Sequence, residues 1–101
     1  MPNQINYEII PEHMREATRI YIEDGCDYLS DALFAIFSNN LSKFTTWADD
    51  TNLAAVRKWG QFLKWEAPAA CWGSAEKIAK WQKQGGLNGR MQAKLSETGM
   101  A

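Results

Sequence analysis

Helix punctuation constrains this chain more than any other feature. Cap and stop residues recur at helix-length intervals, and the apolar positions between them repeat every three or four residues. Pro11 suits the first position of a helix, where its missing N–H leaves no bond unmade. Glu12 and Glu16 follow near the positive end of the helix dipole. Met14, Ala17, Thr18 and Tyr21 form a stripe and Gly25 is a natural C-terminal stop, which predicts a helix over 11–24. Ile20 and Ile22 fall off that stripe and predict burial on a second side. A second helix opens near Asp27 or Ser30, is apolar all round from Leu33 to Phe37, and is interrupted at Asn39-Asn40. It should be the buried spine. Asn40 then caps a third helix over 41–48 that presents Leu41, Phe44 and Trp47 to the core.

The cluster Asp49-Asp50-Thr51-Asn52 precedes a fourth helix over 52–66, with Leu53, Val56, Trp59 or Gly60, Leu63 and Ala67 inward and Pro68 ending it. After a small-residue loop carrying Trp72, Ser74 caps a fifth helix over 75–84. Ile78, Ala79 and Trp81 face inward there, Glu76 stands in i,i+4 reach of Lys80, and Gly85-Gly86 stops it. The prediction is an all-α, compact single-domain bundle of about five helices. Residues 1–10 form an N-terminal arm, 11–86 the helical domain and 87–101 a flexible tail with few anchors, frayed unless Met91 and Leu95 dock.

At 101 residues, 46% hydrophobic and 23% charged, the chain has the composition of one globular domain, which excludes wholesale disorder. No apolar run approaches a membrane span, and the N-terminus MPNQINYEII lacks the basic and apolar regions of a signal peptide. No membrane partner is expected. Cys26 and Cys71 stand 45 positions apart without a CxxC, and His13 is the sole histidine. That is a poor zinc set, and the acidic cluster fits no calcium loop, so neither metal nor cofactor is expected. The cysteines read as small buried hydrophobes carrying reduced thiols. A Cys–His nucleophile pair, a carboxylate pair and a phosphate loop each lack a supporting pattern, since Gly85-Gly86 and Gly89 follow a helix and not a strand. The chain reads as no enzyme.

Charge is divided along the sequence. Residues 1–56 carry nine acids against three bases, and residues 57–101 carry eight bases against three acids. Such a split fits two solvated helix faces, a nucleic-acid-facing half, or acidic and basic halves that meet between copies as in a homodimer. Basic Lys77, Lys80, Lys83 and Arg90, with Trp72 and Trp81 nearby, supply the phosphate contacts and stacking a nucleic acid needs, although an isoelectric point near 5.8 argues against a basic domain. Five tryptophans fall within 47–81, more ring area than a core this small readily absorbs. Trp47, Trp59 and Trp81 are explained by packing. Trp65 lies about 100° off the stripe of its helix, and Trp72 sits in a loop where it either plugs the core or projects. The candidate partner-binding residues are therefore Trp65, Trp72, Lys64, Lys77 and Lys80.

One group of motifs spans about residues 11–86. It comprises Tyr21-Ile22-Glu23 with Gly25, Ser38-Asn39-Asn40-Leu41, Ala48-Asp49-Asp50-Thr51-Asn52, Phe62-Leu63, Glu66-Ala67-Pro68, Cys71-Trp72-Gly73-Ser74, Glu76-Lys77-Ile78 and Trp81. This pattern resembles a family of small uncharacterised proteins encoded by tailed phages and prophages. Where those relatives place a Pro-Gly pair after the first helix, this chain has Asp27-Tyr28. The resemblance carries no active site to transfer. It implies a phage accessory protein acting in the cytoplasm of a bacterial host. There it would bind a host protein or complex, including defence systems such as CRISPR complexes, in the manner of an anti-CRISPR inhibitor. The alternative is a nucleic-acid-binding protein that uses the basic, tryptophan-bearing second half.

Overall fold

The computed structural model describes residues 5–91. Over these residues the chain is all-α, and no strand occurs among them. The helices are α1 (Glu12–Asp24), α2 (Asp31–Phe37), α3 (Leu41–Trp47), α4 (Asp50–Ala54), α5 (Val56–Trp65), α6 (Ala75–Gln84) and α7 (86–91). Short 3₁₀ turns occupy Tyr7–Ile9 and Ala69–Cys71. Local chemistry sets most of the boundaries. Ser30, Asn40, Asp49 and Ser74 each accept a hydrogen bond from the backbone N–H three residues on, opening α2, α3, α4 and α6. Gly25 and Gly85 close α1 and α6 in the left-handed conformation, at φ of 67° and 89°. Pro11 is the cap residue of α1 and not its first helical residue.

About five helices become seven for two reasons. The helix expected over 52–66 breaks at Ala55, which leaves helical geometry at φ −100°, ψ 15°. Across the break the buried Trp59 donates its indole N–H to Asn52 Oδ1 at 3.2 Å, which ties α4 to α5. The second addition is α7, at the start of the expected tail. Leu87 packs against the core, Asn88 donates to Asp24 Oδ1 at 2.8 Å, and the Arg90 guanidinium stands 5.0 Å from the Trp81 ring centre. Residues 92–101, with Leu95, lie outside the described residues.

The junction that organises the fold is the C-terminal end of α1. Trp81 donates its indole N–H to the carbonyls of Tyr21 and Ile22 at 3.2 and 3.1 Å; Tyr21 already accepts the Gly25 N–H, and Ile22 is a carbonyl that the helix end otherwise leaves unpaired. Gln82 donates to the Cys26 carbonyl at 2.9 Å. Tyr21 in turn donates its hydroxyl to the Cys71 carbonyl at 2.7 Å, and the Gly73 N–H donates to the Phe37 carbonyl at 2.7 Å. Gly25 and Gly86 meet here backbone to backbone. A Cβ on Gly25 would lie 2.6 Å from the Gly86 nitrogen, and one on Gly86 2.6 Å from the Glu23 carbonyl carbon.

From that junction a chain of rings runs through the core: Tyr21 against Phe37, Phe37 against Trp59, and Trp59 against both Phe44 and Phe62, all edge to face with centroids 5.1–6.5 Å apart. Tyr7 extends it from Phe62, carrying the segment before α1 onto the core together with the buried Ile10. Several inward assignments are corrected. Ala17, Ala79 and Val56 are exposed, as are Leu41 and Trp47, at 61% and 58%. The reason is geometric. On the two-turn α3 only Phe44 points at the core, and residues three before and three after it are turned about 60° to either side. The buried face of α1 runs instead through Met14, Thr18, Tyr21 and Ile22.

Candidate binding surface

The proposed contact residues lie on the end of α5, the loop 66–74 and α6. Trp59, Phe62 and Leu63 set the inward face of α5, and Trp65 at its last position falls outside that arc. It is 73% exposed, the most exposed of the tryptophans. Lys64 Nζ stands 5.6 Å from the centre of its ring, a cation–π contact that orders both side chains. Glu66 follows and accepts the Asn6 N–H at 2.9 Å, pinning the N-terminal segment to this end of α5.

The loop then descends into the core and returns. Cys71 is buried, and desolvation pushes its thiol up to about 12. Trp72 resolves the two alternatives in favour of packing: it is half-buried and rests against the core. Gly73, at φ 123°, brings the backbone beside the Lys77 side chain, whose Cδ and Nζ would lie 3.4 Å from a Cβ placed there. Lys77 and Lys80 then line one groove of about 280 Å³ with Trp81 and Gln84, facing Ala70 of the 3₁₀ turn.

Four of the five residues thus form two groups. Lys64 and Trp65 are in contact, and Lys77 and Lys80 share the groove, whose lining does not include Trp72. Among the described residues no hydrogen bond, ion pair or cation–π contact joins one group to the other.

Among the described residues the ion pairs fall within the two halves of the chain and not between them. His13 pairs with Asp49, Arg19 with Glu16 and Glu23, and Lys80 with Glu76 at 4.0 Å. Among the described residues Arg57, Lys58, Lys64, Lys77 and Lys83 have no carboxylate within 4.0 Å. The basic half therefore keeps its charge available to solvent or a partner.

Asp49 caps α4, and the Asn52 N–H above all, with His13 second, holds its carboxyl below the usual carboxylate range. Neither cysteine hydrogen-bonds to His13 among the described residues. No group of three His, Cys, Asp or Glu close enough to hold a metal occurs among them, and no helix is long and apolar enough to cross a membrane. Sequence reasoning missed the exposure of Trp47 and Leu41. The signal was the polar company they keep, Ser42-Lys43 and Thr45-Thr46, which leaves α3 one inward residue. Comparison with protein-family models, curated proteins and solved structures finds no match.

Proposed function

We propose that the protein works by binding another macromolecule, a protein or protein complex, and not by catalysis. The observation that carries the reading is Trp65. A tryptophan held in solvent by its place on α5, with the Lys64 ammonium over its ring and no carboxylate within 4.0 Å of that lysine among the described residues, has the make-up of an interface anchor. A large rigid ring buries much area on docking and loses little conformational freedom. Lys64 beside it and Lys77 and Lys80 on α6 supply charge for steering, and half-buried Trp72 sits in the loop that joins the two helices.

In the setting that the phage-family resemblance implies, the partner is a protein of the bacterial host, and the site of action is the host cytoplasm. A host defence complex, inhibited by occupation of its surface, is the partner class that this reading favours. The unpaired lysines also suit a nucleic acid, and that second reading predicts affinity falling steeply with salt.

Affinity capture from host lysate tests the proposal. Proteins retained by the wild-type chain should be lost from Trp65→Ala and from Lys77→Glu, with thermal unfolding of the variants unchanged. Identical retained proteins for all three chains would remove this surface from consideration.

A further inference from the structure

We infer that the groove between α6 and the Ala69–Cys71 turn seats the carboxylates of a short acidic segment of a partner protein. This rests on the binding reading above and assigns the partner's chemistry at one part of that surface. Lys77, Lys80, Trp81 and Gln84 are spaced i, i+3, i+4 and i+7, so they form one face of α6 about 10 Å long. Ala70 makes the opposite wall, and its methyl leaves the groove open. The volume of about 280 Å³ lies just below the range of sites that engulf a whole small molecule, and suits side chains of a larger partner.

The charge in the groove is uncommitted. Lys77 has no carboxylate within 4.0 Å among the described residues, and the Glu76 partner of Lys80 stands at the 4.0 Å limit with both side chains mostly in solvent. Gln84 donates its amide to the Gly86 carbonyl at 3.0 Å, which leaves the two ammonium groups to define what binds. Ala70 gives the groove an exposed apolar wall, with the buried Trp81 as its floor, which favours a carboxylate on an aliphatic stem.

The dimensions of the groove favour an acidic peptide over a nucleic acid. Two lysines along about 10 Å of helix offer contacts for one or two carboxylates, and an isoelectric point near 5.8 is not that of a domain built to track a phosphate backbone.

The test is fluorescence anisotropy of a labelled eight-residue glutamate-rich peptide and, separately, of an oligothymidylate, at moderate salt. The peptide should bind saturably. Lys77→Ala/Lys80→Ala should weaken it about tenfold or more, since each lysine contributes a charge-assisted contact. Arg57→Ala/Lys58→Ala, which removes equal charge from α5, should change it less than about twofold. Equal weakening by both pairs would reduce the effect to net charge and overturn the assignment, as would tighter binding of the oligothymidylate. Absence of peptide binding overturns the groove alone if capture remains dependent on Trp65; loss of that dependence overturns the wider reading instead.

Discussion

Trp59 touches three other rings and spends its one polar atom on Asn52, so packing and hydrogen bonding converge on a single side chain. Trp59→Ala should cost about 3–5 kcal/mol, and Asn52→Ala, which strands the buried indole N–H, about 1–3 kcal/mol, both read from urea unfolding. Thr18 is the converse case, a buried hydroxyl with no partner among the described residues. Thr18→Val should therefore raise stability by about 1 kcal/mol or leave it unchanged. The two cysteines should separate by reactivity. A thiol reagent at mildly alkaline pH should label half-buried Cys26 in the native protein and reach Cys71 only on unfolding; rapid labelling of both would show the loop 66–74 to be open. Burial raises the Cys71 pKa from 9.0 to about 12, so the folded state retains a proton that the unfolded chain releases. Its contribution to stability is full below pH 9 and declines as pH rises toward 12.

At the scale of elements, two glycines separate the tolerable from the intolerable. Gly86→Ala should destabilise by more than about 1 kcal/mol, because φ is +70° and the new methyl meets the Glu23–Asp24 backbone. Gly60→Ala, on the exposed side of α5 with nothing within 4 Å, should stabilise by about 0.5–1 kcal/mol. Thermal melts of the pair check both signs. Asp49→Ala removes the cap of α4. Because the folded pKa of Asp49 is lowered from 3.8, its contribution is present above that pH and lost as pH falls through the folded value, so the variant should show a shallower acid limb in its stability profile. Capping is local chemistry, which is why Ser30, Asn40, Ser74, Gly25 and Gly85 were legible from sequence. The break at Ala55 turns on a contact between consecutive helices, Asn52 with Trp59, and the exposure of Trp47 on the single face that α3 shows to α2, whereas the docking of α7 needs Gly25 and Gly86, far apart in sequence. The same division holds for the candidate surface. The exposure of Trp65 follows from its offset on one helix, whereas the groove needs the Ala69–Cys71 turn brought against α6.

Along the sequence the molecule divides into an acidic half and a basic half, with no ion pair joining residues 5–56 to 57–91. Sedimentation at low and high salt should give a monomer in both, in keeping with a surface that serves a foreign partner; association at low salt alone would show the halves meeting between copies. Two exposed tryptophans then compete for the role of anchor: Trp65, beside Lys64 on the basic side, and Trp47 on α3. The direct measurement is calorimetric titration of the captured partner, once purified, against wild type, Trp65→Ala and Trp47→Ala. Trp65→Ala should weaken binding by about 2 kcal/mol or more, some thirtyfold, with Trp47→Ala within about twofold of wild type. Loss of affinity on Trp47→Ala with Trp65→Ala unaffected would contradict the account and move the interface to α3.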